Sequence, residues 1–192
     1  MDADLQTRKA DLRAQTRVRV RAMEVQARIA GSHAICTRLK ALPLWSAAKT
    51  VLMFSCMPDE PDLMRLVDEA LASKDVIALP RYSATNDSYV AARVQNLLGD
   101  LTLGKFNVLE PRATCPEVPL NRLDLALVPG VAFDLHGRRL GRGKGFYDRL
   151  LAAVRGTKCG VAFDEQIVGE VPAGPLDIRL NCILTPTRWI ET

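Results

Sequence analysis

Val51-Leu-Met-Phe54, Leu63-Met-Arg-Leu-Val-Asp-Glu-Ala-Leu71 and Val76-Ile-Ala-Leu79 are the stretches that set the fold class. The two short apolar runs lack polar alternation, which is the pattern of strands buried on both faces. Between them Leu63, Leu66, Val67 and Leu71 recur at helical spacing and form one apolar face. Strand, helix and strand in that order predict a β-α-β unit. Working outward, residues 89–94, 125–128, 159–162 and 183–184 read as further strands and residues 146–154 as a helix. The expectation is a single α/β domain over residues 1–192, with a largely parallel sheet covered by helices on both faces. Residues 5–21 predict an N-terminal helix, and Ile35, Leu39 and Leu42 mark a second that Pro43 stops. Residues 96–121 carry Gly99, Gly104, Pro111 and Pro116 without a clean period, and read as an excursion over the surface. In an open α/β sheet ligands gather beyond the carboxyl ends of the strands, where residues 55–60, 80–82 and 134–145 emerge.

Chemistry concentrates in one of those loops. Arg139-Leu-Gly-Arg-Gly-Lys-Gly-Phe-Tyr-Asp148-Arg149 places three alternating glycines, four cations and one acid between an apolar strand and an amphipathic helix. Gly141, Gly143 and Gly145 let the backbone turn tightly and bring its N–H groups up to a polyanion. Arg139, Arg142 and Lys144 alternate with them, and Asp148 follows in the first helical turn, where an acid can hold the cation that travels with nucleotide phosphates. The spacing matches neither a dinucleotide fingerprint nor GxxxxGK[ST]. It reads as a phosphate cradle for a magnesium nucleotide, with a basic glycine-rich surface turn as the alternative. Lys9, Arg13, Arg17 and Arg21 recur every four residues along one stripe of the first helix, a pattern that a merely solvated face also produces.

Five segments in order carry a family likeness: Lys9-Ala-Asp-Leu-Arg13, Ser55-Cys-Met-Pro-Asp-Glu60, Leu79-Pro-Arg-Tyr82, the run from Leu127 to Arg149, and Thr185-Pro186. Together they resemble the 5-formyltetrahydrofolate cyclo-ligase family, also called methenyltetrahydrofolate synthetases. The resemblance implies an enzyme that closes a ring on 5-formyltetrahydrofolate to give 5,10-methenyltetrahydrofolate, with ATP as co-substrate, Mg2+ as cofactor, and ADP and phosphate released. It implies ATP contacts from Lys9, Arg13 and the loop Arg139, Leu140, Gly141, Arg142, Gly143, Lys144, Gly145, Phe146 and Tyr147. Folate contacts are implied for Ser55, Glu60 and the inner loop Arg142, Gly143, Lys144, Gly145 and Phe146. Lys144, Arg142 and Tyr147 are the implied catalytic groups, and Asp148 and Asp177 the implied metal ligands. Taken alone, Asp177 also reads as a turn acid after Gly174-Pro175, and Glu60 as an acid complementing a helix start. Leu63 stands where the family commonly has threonine, and Phe146 where tyrosine is frequent.

Composition bounds the rest. A chain of 192 residues suits one compact domain with a sizeable core. The five cysteines are scattered without CxxC, so a reducing compartment is expected and a zinc site is not. The N-terminus lacks an apolar leader, and Asp2, Asp4 and Asp11 argue against a mitochondrial presequence, which leaves the cytosol as the expected location. No apolar run approaches a bilayer span. The net charge of +4 is gathered: residues 8–28 hold seven cations against two acids, residues 138–149 five against one, and the remainder is acidic. Two local basic segments favour a small polyanionic ligand over a broad nucleic-acid surface. A monomer without nucleic-acid or membrane partners is expected. The rival readings are a non-catalytic relative that binds RNA through its basic segments, and a sugar-phosphate isomerase or acyl-CoA transferase on a similar scaffold.

Overall fold

The computed structural model describes residues 3–192, so Asp2, one of the acids weighed against a presequence, lies outside it. Two helices lead, α1 (Ala3–Arg21) and α2 (Val25–Ala41), followed by the short α3 (Pro43–Ala47). Pro43 ends α2 as the sequence suggests and then opens α3, because a proline in the first helical turn has no N–H to leave unsatisfied. The β-α-β unit follows as β1 (Thr50–Leu52), α4 (Met64–Leu71) and β2 (Val76–Ser83), and β1 and β2 pair in parallel. A hairpin turns β2 back into β3 (Ser88–Val94), which runs antiparallel to it.

Residues 96–121 hold more structure than an excursion. They contain α5 (Leu97–Asp100) and a separate two-stranded sheet, β4 (Leu101–Leu103) with β5 (Leu109–Pro111). These elements are too short to show a period, and Phe106 and Asn107 between them adopt left-handed backbone at φ 65° and 60°. The chain continues through β6 (Leu125–Val128), β7 (Ala132–Asp134), β8 (Arg139–Leu140), α6 (Phe146–Ala152), β9 (Thr157–Val161), β10 (Ile167–Val168), β11 (Cys182–Leu184) and β12 (Trp189–Glu191).

The main sheet has the order β12-β11-β9-β6-β1-β2-β3, with five parallel central strands and an antiparallel strand at each edge. Its inner residues, among them Val51, Leu52, Leu127, Val161 and Ile183, are fully buried. Ile35 and Leu39 of α2 with Leu66 and Val67 of α4 pack on one face. Leu150 and Leu151 of α6, with Val154, Leu123 and Leu180, pack on the other. A smaller sheet, β10-β7-β8, sits beside the main one. No helix among the described residues is long and apolar enough to cross a membrane.

The turn from α6 into β9 leaves no room for a side chain at Gly156. A β-carbon there would lie 2.2 Å from the Leu123 carbonyl oxygen and 2.4 Å from that of Asp124, both rigid backbone. Gly156→Ala is therefore expected to cost roughly 3 kcal/mol, the upper end of overpacking penalties. Urea unfolding should show a lower midpoint with an unchanged slope. A midpoint equal to wild type would mean that the turn yields freely.

Candidate active site

A cleft of about 780 Å³ opens at the carboxyl ends of β1 and β6, lined by residues of the loops after both strands together with α1, β5 and the glycine loop. The glycine loop leaves β8 and enters α6. Gly143 (φ 102°) and Gly145 (φ 67°) sit in left-handed backbone that disfavours side chains. Gly141 serves a different end, since a β-carbon there would lie 2.9 Å from the Arg139 guanidinium.

The cations divide into held and free. Arg142 donates from Nε and Nη2 to Glu60 Oε1 at 3.2 and 2.9 Å, and from Nη2 to Asp59 as well. Burial works against its charge, but Glu60 and Asp59 outweigh that and raise its pKa. Arg142 thus ties the glycine loop to residues 55–60. Glu60 anchors this clamp, its other oxygen accepting the Met57 N–H at 2.9 Å, and it lines the cleft as well. Arg139, expected on the phosphates, has its guanidinium almost wholly buried beneath Tyr147 and donates to Asp148 Oδ1 at 3.0 Å. Lys144 is exposed, lines the cleft, and has no ion-pair partner among the described residues.

From α1, Lys9 and Arg13 reach the cleft. Lys9 Nζ bonds Asp177 Oδ2 at 2.5 Å, and Arg13 Nε donates to the Gly141 carbonyl at 2.8 Å. Burial and the neighbouring Arg17 lower the Arg13 pKa, so an incoming anion would relieve it. Among the described residues Arg17 pairs with Asp59, at 4.0 Å, and Arg21 stays exposed. Leu140 lines the cleft, but its side chain is buried against Ala132 and Val171, which leaves only its backbone for a ligand. Ser55 lines the cleft with a buried, unpartnered Oγ.

Asp148 and Asp177 lie 29 residues apart in sequence, and the fold makes them neighbours. The Ile178 N–H points at Asp148 Oδ1 at 3.4 Å, so the backbone that carries Asp177 touches the other acid. Each acid engages a cation through one oxygen, and both line the cleft. Two adjacent carboxylates beside a phosphate-sized loop are a fitting donor set for Mg2+, a hard ion that takes one or two carboxylates and completes its shell with phosphate and water.

The sequence reading missed the opposite wall. Phe106, Val108, Leu109 and Glu110, from the segment read as a surface excursion, line the cleft with Tyr89. The Phe146 ring packs edge-on against Tyr89 at 5.3 Å and Tyr82 at 5.8 Å, and lies 6.0 Å from Phe106. Losing the hydroxyl at position 146 therefore keeps the aromatic packing. Tyr147 packs on Tyr89 at 6.0 Å, and burial raises its phenol pKa well above the ordinary value. That phenol stays protonated and can donate a hydrogen bond, not act as a base. The available signal was Phe106 itself, an aromatic ring in a glycine-punctuated polar loop.

The 5-formyltetrahydrofolate cyclo-ligase family model matches residues 5–186. The 5-formyltetrahydrofolate cyclo-ligase of Escherichia coli K12 is 33% identical over 162 residues, covering 81% of this chain and 87% of that protein. The enzyme of that name from Mycolicibacterium smegmatis is 34% identical over 154 residues, covering 75% and 77%. The NMR structure of Aquifex aeolicus 5,10-methenyltetrahydrofolate synthetase superposes with a TM-score of 0.85 at 33% identity, over 95% of this chain and 92% of that one. With its glycine loop, paired acids and aromatic wall in one cleft, this chain belongs to the 5-formyltetrahydrofolate cyclo-ligase family.

Proposed function

We propose that this chain converts 5-formyltetrahydrofolate to 5,10-methenyltetrahydrofolate at the expense of ATP. The observation that carries the reading is the shared cleft, with an unpaired Lys144 on the glycine loop and the aromatic wall of Phe106, Phe146 and Tyr89 facing the same space. A formyl amide is a poor electrophile. Transfer of the γ-phosphoryl group from ATP to the formyl oxygen releases ADP and leaves an N5-iminium-like carbon that carries the phosphate through that oxygen. N10 then attacks the formyl carbon, the N10 proton departs, and the carbon–oxygen bond breaks to free phosphate. The protein contributes alignment and charge stabilisation.

Lys144 neutralises the equatorial oxygens of the transferring group, and Arg142, held by Glu60 and Asp59, fixes the loop beside it. Tyr147 offers a neutral phenol. Lys9 and Arg13 hold the nucleotide phosphates, with Arg139 supporting Asp148 from behind. When bound, Mg2+ supplies charge neutralisation to the phosphates, and Asp148 and Asp177 are the residues that would hold it. Every residue the reading requires comes from one chain.

The test is a turnover assay with ATP, Mg2+ and 5-formyltetrahydrofolate, followed by the absorbance of the methenyl product and by phosphate release. Product and phosphate should form in equal amounts and only with all three present. Methenyl product without ATP, or phosphate release that ignores the folate, would contradict the reading. A second expectation concerns the stripe on α1. Lys9→Ala with Arg13→Ala should raise the KM for ATP at least about tenfold and leave the KM for folate nearly unchanged, because charge-assisted bonds to the bound nucleotide are lost. Equal changes in both constants, or none, would return the stripe to a solvated face.

A further inference from the structure

Among the described residues, four buried side-chain polar atoms lack a hydrogen-bond partner: Arg38 Nε, Ser55 Oγ, Arg139 Nε and Glu110 Oε1. Three of the four belong to residues lining the cleft, and Glu110 supplies the one carboxylate oxygen. Folded proteins rarely leave a buried acceptor without a donor unless something else completes it. Glu110 is only 6% exposed. Its Oε2 accepts the Tyr82 N–H at 2.9 Å, and the Lys105 backbone also favours the ionised carboxyl. Gly104 closes the other side, since a β-carbon there would lie 2.4 Å from Glu110 Cδ. The Lys105 ammonium is engaged elsewhere, 3.4 Å above the centroid of the Tyr82 ring and 3.8 Å from Asp87 Oδ1. The carboxylate is thus fixed at one oxygen and unfilled at the other, in the cleft lining it shares with Phe106, Phe146 and Tyr89.

We propose that Glu110 orients the folate by receiving the adjacent N–H donors of its pteridine ring, the N3–H and 2-amino edge. This rests on the cyclo-ligase reading. The two glutamates lining the cleft contrast on this point: Glu60 already accepts from Arg142 on one oxygen and from Met57 on the other, whereas Glu110 Oε1 has no partner. A flat ring seated against Phe106, Phe146 and Tyr89 suits the wall, and two neighbouring donors suit a carboxylate. Adenine suits it less, because its amino group stands beside a ring acceptor that a carboxylate repels. Burial raises the Glu110 pKa, and a donor pair from the ligand would favour its ionised form.

Glu110→Gln is the discriminating variant. The Tyr82 N–H holds the amide oxygen in the Oε2 place, so the amide NH2 occupies the Oε1 place and faces the ligand's donors. The KM for 5-formyltetrahydrofolate should rise about tenfold, as for loss of one charge-assisted bond pair, with the KM for ATP within twofold and the thermal midpoint near wild type. A purely structural role would not produce the second readout, which is binding of 2-desamino-5-formyltetrahydrofolate measured by calorimetry without ATP. Wild type should bind this analogue about tenfold more weakly than the parent, and Glu110→Gln should bind the two equally. Unchanged folate KM in Glu110→Gln, or discrimination that persists in the variant, would overturn the assignment. If the variant does not fold, the wild-type comparison still decides: equal affinity for parent and analogue would rule out a donor-edge contact. Glu110-dependent binding without any turnover by the wild type would sink the cyclo-ligase reading while leaving the Glu110 contact standing.

Discussion

Lys144→Ala is expected to lower kcat by roughly 10²–10³, the usual cost of removing one charge-stabilising donor from a transition state. The side chain stands between two loop glycines, faces the cleft and has no ion-pair partner among the described residues, so folding should be nearly unaffected. That separates it from Arg142, whose removal would also leave the buried Glu60 without its counter-charge and mix stability with catalysis. If Lys144 acts only in the transition state, kcat and kcat/KM should fall together while the KM values stay close to wild type. A variant keeping more than a third of wild-type kcat would remove Lys144 from this role. A rise in the KM for ATP at constant kcat would make it a ground-state phosphate contact.

The second large effect is expected at the paired acids. Without ligand the cleft balances its own charges, with Lys9 on Asp177 and Arg139 on Asp148. On the proposed function, binding of a magnesium nucleotide would be an exchange of partners: the phosphates would take Lys9, and Asp148 and Asp177 would be freed to hold the metal. Asp177→Asn should raise the Mg2+ concentration for half-maximal rate by about 10–100-fold, the scale seen when the support of a metal site is lost. It should also strengthen ATP binding in the absence of Mg2+, because Lys9 is released for the phosphates. These two shifts run in opposite directions, and no generic loss of folding reproduces both. Asp148→Asn should show the same rise in magnesium requirement and, in addition, a stability loss of roughly 3 kcal/mol, since it strands the buried Arg139. The double variant should add little to the worse single, the site being already lost. The measurements are a magnesium titration of initial rate at saturating ATP, and calorimetry of ATP binding without metal. Unchanged magnesium dependence in both singles would remove the metal assignment. Weaker metal-free ATP binding in Asp177→Asn would contradict the exchange.

The parts of this protein legible in its sequence are those whose physics is local. Apolar runs without alternation reveal strands buried on both faces, and β1, β2, β6, β9 and β11 emerge as the parallel centre of the sheet. The glycine loop announces itself because left-handed backbone at Gly143 and Gly145 needs a particular residue type at a particular place. The antiparallel direction of β3 was not legible, because a strand's own residues do not state which way its neighbour runs. In sequence, residues 96–121 look like a plain surface excursion for a related reason: three-residue strands leave no period to detect.

What the tertiary structure alone decided is which charges meet. Lys9 and Asp177 are separated by 168 positions, and Arg142 and Glu60 by 82, so nothing in their local sequence marks them as partners. Glu110 is the sharpest case. Between Val108-Leu109 and Pro111 nothing in the local sequence marks it as buried, and it becomes a buried, half-filled acceptor only when Gly104 and Tyr82 close around it. Residue type and spacing encode backbone conformation and the groups available for chemistry. The fate of a charge depends on the water and counter-charges removed from around it, and those come from distant segments that only folding brings together.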